Sequence, residues 1–180
     1  WDYDHWSELG NEGWSYEEVL PYFKKAEHNE EFDDEFHGQR GPLNVSKIRH
    51  QNTPTDDFVK TGSELFGFND DFNGAEQEGV GYYQTTQKDG KRCSAAKAYL
   101  VPALERENLT VMTDTNVNKI LFENKKAVGV ECIDKDGKVI IVNANKEVIL
   151  SSGAFGSPQI LLRSGICLLY TSDAADDTRS

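Results

Sequence analysis

Cysteine, methionine, cationic residues and long apolar runs are all scarce in this 180-residue sequence, and each scarcity narrows what the chain can be. Its three cysteines, Cys93, Cys132 and Cys167, are too few and too scattered for a disulfide framework or a CxxC metal site. No apolar run approaches the ~18–20 residues that a bilayer span requires, so no membrane span is expected. Cations number 19 against 31 carboxylates, giving a formal charge of −12. Such a surface repels phosphate backbones and anionic lipid, so no nucleic-acid partner is expected. The only methionine is Met112 and the chain opens at Trp1, which therefore reads as an internal residue with sequence missing upstream. Glycine fingerprints are missing as well. There is no GxGxxG, and Gly90-Lys91-Arg92 lacks the full pattern of a P-loop.

What is present is a moderately apolar chain, 37% hydrophobic and 11% aromatic, enough aromatic surface for a packed core. Ser15 with Glu18 three residues later forms a capping-box pattern that opens a helix through Val19, Leu20, Tyr22 and Phe23, with Pro21 expected to divide it. Glu27, Glu30, Glu31, Asp33, Asp34 and Glu35 follow without an intervening cation. Convergent metal ligands are the sharper reading of these six, and a solvated acidic loop is the one their number favours. Gly38 to Leu43 reads as a loop entering a strand. Thr53-Pro54 reads as a helix start, with Phe58, Gly62, Leu65 and Phe66 on one face and Gly67 as the stop. Ser94 to Glu105 reads as a short helix broken before Pro102.

Beyond Asn108 the period shortens to that of strands. Leu109–Met112, Val117–Phe122, Ala127–Ile133 and Val139–Val142 are β-rich runs, with turn signals at Asn124-Lys125 and Asp136-Gly137, so a meander of three or four antiparallel strands is expected. Lys146–Ser151 has a continuous apolar centre, the pattern of a strand buried on both faces in a parallel sheet. Ser152-Gly153-Ala154 ends it, and Ser157-Pro158 is expected to cap the helix of Ile160, Leu161 and Leu162. The fold class is therefore mixed α/β.

A strand delivering Ser-Gly-Ala into a helix N-terminus is one way α/β proteins bring bare backbone close to a nucleotide, since the helix end favours anionic oxygen. The same turn also serves simple helix-on-sheet packing, and spacing alone does not separate the two. His5, His28, His37 and His50 show neither HExxH spacing nor a triad partner. All lie in the polar first third, where exposure is the ordinary expectation.

The run Gly153-Ala154-Phe155-Gly156-Ser157-Pro158-Gln159-Ile160-Leu161-Leu162-Arg163-Ser164-Gly165-Ile166 resembles the second signature of the glucose-methanol-choline (GMC) flavoprotein oxidoreductases. Asp2–Trp6, Gly13–Tyr16, Val19–Phe23, Gly41–Leu43, Asp71–Gly74 and Arg92–Leu100 carry the resemblance along the chain from Trp1 to Ile166, in the manner of an arthropod glucose-dehydrogenase-like branch. The pattern breaks at Cys167, where Cys-Leu-Leu-Tyr-Thr-Ser-Asp-Ala-Ala-Asp resembles translated library adapter, so 167–180 is expected to be non-native.

The resemblance implies an internal fragment of an FAD-dependent enzyme that oxidises the CH–OH group of an alcohol or sugar and passes a hydride to flavin N5. The electron acceptor, oxygen or quinone, stays open, and secretion follows family habit. It implies an FAD-domain extension over 1–42, part of a substrate domain over 43–107, and an FAD-domain piece with a Rossmann-like return strand over 108–166. Both the first βαβ unit and the catalytic histidine would lie outside the chain. Val117, Ser152, Gly153 and Ala154 fall where family members pass the cofactor, while an ordinary core valine is the rival reading of Val117. A silent GMC-like paralogue acting as a binding protein is the alternative function, and an independent carbohydrate-binding β module conflicts with the capped helices.

Overall fold

The computed structural model describes residues 1–50 and 52–166, so the expectation of a non-native tail over 167–180 lies outside the described residues. The chain separates into two units, one over Trp1–Leu109 and one beginning at Thr110.

The first unit opens with α1 (Asp2–Glu8) and α2 (Tyr16–Ala26); edge-to-face aromatic pairs join α1 to the intervening loop, Trp6 on Trp14, and to α2, Tyr3 on Phe23, each pair 5.7 Å between centroids. The Glu18 carboxylate accepts from both the backbone N and Oγ of Ser15, at 3.1 and 2.6 Å, which closes the first turn of α2. Those bonds hold the Glu18 carboxyl below the usual carboxylate range. The division expected at Pro21 does not occur, and α2 runs through it unbroken. A proline there leaves only the Glu17 carbonyl without its donor, and Glu17 is exposed to water in the first turn.

From α2 the chain enters β1 (Glu27–Asn29), makes an acidic excursion, and returns as β2 (Leu43–Lys47), which pairs with β1 in parallel, Glu27 opposite Leu43. Two glycines permit that return. A Cβ on Gly38 would lie 1.9 Å from the Lys24 carbonyl oxygen and one on Gly41 2.2 Å from the Ala26 carbonyl, so only bare backbone passes the end of α2. β2 pairs antiparallel with the short β3 (Gln84–Thr85), and β4 (Gln87–Lys88) forms a hairpin with β5 (Lys91–Arg92). The 42/43 position thus lies between two paired strands. The acidic segment is also more than a solvated loop. The Glu27 carboxylate accepts from Gly38 N, and that of Glu30 accepts from the buried Asn44.

Between β2 and β3, α3 (Thr53–Phe66) starts one residue earlier than the proline signal suggests, because Asn52 Oδ1 accepts from Thr55 N and acts as the cap. Gly67, with φ of 81°, ends it as expected. Its apolar face is only partly covered. Val59 is buried and Gly62 meets Val80, but Phe58, Leu65 and Phe66 are exposed, since this unit offers that stripe no facing layer. Ala96–Leu100 is a single π turn leading into α4 (Val101–Ala103), whose first turn accommodates Pro102 without a lost donor.

The second unit is an antiparallel meander of β6 (Thr115–Glu123), β7 (Lys126–Asp134) and β8 (Val139–Asn143), in that order, with α5 (Gly153–Arg163) packed on β6. Asn124 and Lys125 both adopt positive φ, 49° and 67°, the type I′ geometry that suits a two-residue hairpin. Leu109–Met112 adds no fourth strand. The strand expected over Lys146–Ser151 is also absent, and Ile149 is 78% exposed. A parallel strand exists only beside a partner, and the described residues supply none. Helix α5 starts at Gly153, a turn before Ser157-Pro158, and Ser157 instead uses its Oγ to accept from Ser152 N at 3.0 Å. No helix among the described residues is long and apolar enough to cross a membrane.

Candidate functional site

The elements of the second unit enclose a groove of about 570 Å³ between β6 and α5, lined by Thr115, Asn116, Val117, Ile133, Ser152, Gly156, Gln159, Ile160 and Arg163. It exists because β6 is an edge strand. Its inner side pairs with β7, and its outer side meets α5 through a single anchor, Ile120 N–H donating to Ser164 Oγ at 2.8 Å, with that hydroxyl donating in turn to Ile160 O at 2.5 Å. The register shift between Val117 and Lys119 places an extra residue, Asn118, in β6 and changes the strand's phase just after the groove-lining residues Thr115–Val117. On the helix, Ser152, Gly156, Gln159, Ile160 and Arg163 follow the spacing of one face. Ile160 is buried beneath them, as is Cys132 on β7.

The lining has a consistent chemistry. Val117, Ile133 and Ile160 give an apolar floor, and Thr115, Asn116, Ser152 and Gln159 give hydroxyl and amide partners. Arg163 is its one charged residue. In a chain holding 31 carboxylates, the groove admits none, so it favours a neutral or anionic ligand with a flat apolar part. Gly153 starts α5 at φ of 78°, and a Cβ there would meet nothing within 4 Å, leaving backbone open to approach. No side chain of the lining is a general base or an activated nucleophile. The groove can hold a ligand and does not itself react with one.

Of the residues singled out in the sequence, Val117 and Ser152 line the groove. Gly153 follows at its rim, and Ala154 is exposed on the first turn of α5. Thr115, Asn116, Gln159 and Arg163 were not singled out, although the helical spacing from Ser152 to Gln159 and Arg163 carries the signal for two of them. None of the four histidines lines it. His37 nevertheless departs from expectation, being buried to 3% exposure instead of facing water. Asp34, His37 and Asp71 bring one potential ligand atom each within 4.8 Å of one another, with both His37 ring nitrogens facing carboxylate oxygens of Glu27 and Asp71 in a hydrogen-bonded network.

The family model for GMC oxidoreductase matches residues 1–168. The chain belongs to the GMC oxidoreductase family. An alcohol dehydrogenase [acceptor] from Pseudomonas putida is 45% identical over 168 residues, covering 92% of this chain and 30% of that protein. An oxygen-dependent choline dehydrogenase from Sinorhizobium fredii is 44% identical over 166 residues, with the same coverage of 92% and 30%. Among solved structures, an FAD-dependent oxidoreductase from Chaetomium thermophilum superposes with a TM-score of 0.84 at 30% identity, over 92% of this chain and 31% of that one. Pyridoxine 4-oxidase from Mesorbium loti gives 0.83 at 31% identity, over 92% and 33%. This GMC chain therefore spans about a third of the length of the proteins it matches.

Proposed function

We propose that this chain supplies the adenosine-end wall of an FAD site in an oxidoreductase acting on the CH–OH group of a small alcohol or sugar. The observation that carries the reading is the carboxylate-free groove between the edge of β6 and the bare-backbone start of α5. The fit is chemical. The apolar floor suits a purine face, the amide and hydroxyl groups suit its polar edge and the ribose, and anionic oxygen suits the N-terminus of α5 at one end or Arg163 at the other. Val117 would meet the cofactor through strand backbone, and Ser152, Gly153 and Ala154 would border it where α5 begins. Bound FAD supplies the acceptor for the hydride leaving the alcohol carbon. The residues of this chain hold and orient that cofactor and exclude charge of the wrong sign.

The names of the relatives support an alcohol as substrate, one being an alcohol dehydrogenase and one a choline dehydrogenase. The strings Asp2–Trp6 and Arg92–Leu100 support the narrower placement in an arthropod glucose-dehydrogenase-like branch, and with it an extracellular location and a sugar substrate. Oxygen and quinones are the candidate electron acceptors.

Binding is tested on the full chain by amide NMR with added ADP. Val117, Ser152, Gly153 and Ala154 are expected to shift at millimolar ligand. Silence at those four, or shifts confined to the first unit, would remove the groove from the cofactor site. The same chain is expected to show no alcohol-dependent dye reduction and to lose FAD on desalting. A retained flavin spectrum would overturn that expectation.

A further inference from the structure

The most buried side chain in the described molecule is polar. Asn29 is 1% exposed on β1, and its amide lies 3.1 Å from the ring of its neighbour His37. Asn29 Oδ1 accepts from the backbone N–H groups of Glu31 and Phe32, which sets the orientation of the amide. Its Nδ2 then has two protons, and two acceptors stand ready for them, Glu27 Oε1 at 3.1 Å and Gln84 Oε1 at 3.0 Å. His37 Nδ1, 3.1 Å away, is a third group within reach of that amide, and it also faces Glu27 Oε2 at 3.2 Å. On the other side of the ring, Nε2 lies 3.0 Å from Asp71 Oδ2, a carboxylate that can only accept. A carboxylate oxygen thus faces each ring nitrogen, the arrangement that favours an imidazolium.

We propose that His37 is a pH-operated latch: as an imidazolium between Glu27 and Asp71 it ties the acidic segment Glu30–Phe36 and the Asn69–Gly74 turn to β1, and its deprotonation releases the acidic segment. The attachment runs through the residue itself. The ring packs against Phe32 at 5.3 Å, and its backbone N–H donates to Asp34 Oδ1, so the loop is held on both the side chain and the main chain. The charged groups around it come from every neighbouring element. Glu27 lies on β1, Asp34 on the segment itself and Asp71 on the turn. Lys24 of α2 donates to the Asp34 and Glu35 carbonyls, and Lys47 of β2 reaches Glu31 and Asp70 and lies over the Phe32 ring. The imidazole of His37 is the kind of side chain whose charge changes near neutral pH. Burial alone would push its ring down, but the Asp71 hydrogen bond and the charges of Glu27 and Asp71 outweigh that and raise it above the ordinary histidine range. The sign follows. The latch contributes fully below the unfolded-state value and is lost as pH rises through the raised folded one.

The full chain is treated with a glutamate-specific protease from pH ~6 to ~9. Cleavage after Glu30, Glu31 and Glu35 is scored against cleavage after Glu123, at the β6–β7 turn of the other unit, which cancels the enzyme's own pH profile. The ratio is expected to rise about tenfold toward alkaline pH, and H37Q is expected to show the high ratio throughout. Long-range nitrogen–proton NMR should find both His37 ring nitrogens protonated at neutral pH. A flat wild-type ratio, or a neutral His37 tautomer at pH ~7, would overturn the latch. If H37Q unfolds globally, Glu123 cleavage rises with the rest, and the wild-type ratio and the NMR spectrum still decide.

Discussion

At the centre of the first unit sits an asparagine with a histidine and two carboxylates around it; at the centre of the second sit Ile120, Cys132 and Ile160. The first is organised by donors and acceptors that have to be matched one to one. The second is organised by a strand register and a helix laid over it. A matched polar network tolerates no missing partner, because each orphaned group keeps its full desolvation cost. An apolar layer responds instead to lost volume. The two units should therefore fail by different routes and under different conditions, the first as the medium turns alkaline and the second when side-chain volume is removed.

That contrast can be broken most forcefully at Ile160. I160A removes a buried side chain that joins α5 to the meander and is expected to cost about 2–5 kcal/mol. Amide exchange should accelerate through β6 and α5 while β1 and β2 keep their protection, and equal acceleration in both units would mean that they do not fail separately. Next comes Gly38, where an alanine Cβ would fall on the Lys24 carbonyl. G38A is expected to cost about 1–3 kcal/mol, felt in the first unit alone, and a thermal midpoint matching wild type would show that the loop has room to shift. The smallest effect sharpens the comparison in the opposite direction. Lys125 holds φ of 67° in the β6–β7 turn, so K125G should stabilise the second unit by about 0.5–1 kcal/mol, read as slower exchange in β6 and β7.

The elements that could be read from sequence are those whose cause lies within four residues. The Ser15–Glu18 box, the Gly67 stop, and the turns at Asn124-Lys125 and Asp136-Gly137 each depend on one or two local hydrogen bonds or positive φ values, and residue type alone reports them. His37 could not be read that way. Its burial depends on Asp71, thirty-four positions on, and on Gln84, which fixes the Asn29 amide. Lys146–Ser151 failed for the related reason that a strand is a property of a pair. Its apolar centre says that a partner is wanted but does not place one within the described residues. The α3 stripe is the same case, since its periodicity shows which residues share a face and leaves open whether anything covers it. At the groove, Val117 and the Ser-Gly-Ala turn were visible through a resemblance extending over Trp1–Ile166. Gln159 and Arg163 needed the helix to begin at Gly153, a full turn before the proline signal.

One more consequence follows from β8. Among the described residues its outer side pairs with nothing, and the amides there run beside Val139-Ile140-Ile141-Val142, four branched residues in a row with Val139 and Ile141 half exposed. Such an edge is a template onto which an extended segment of another molecule can add by ordinary ladder bonds. Lys138 and the net charge of −12 oppose that addition by keeping molecules apart, an opposition that acts only over the ~8–10 Å Debye length of dilute salt. Concentrated salt shortens that reach and leaves the template in place, so self-association through this edge is expected to rise with ionic strength.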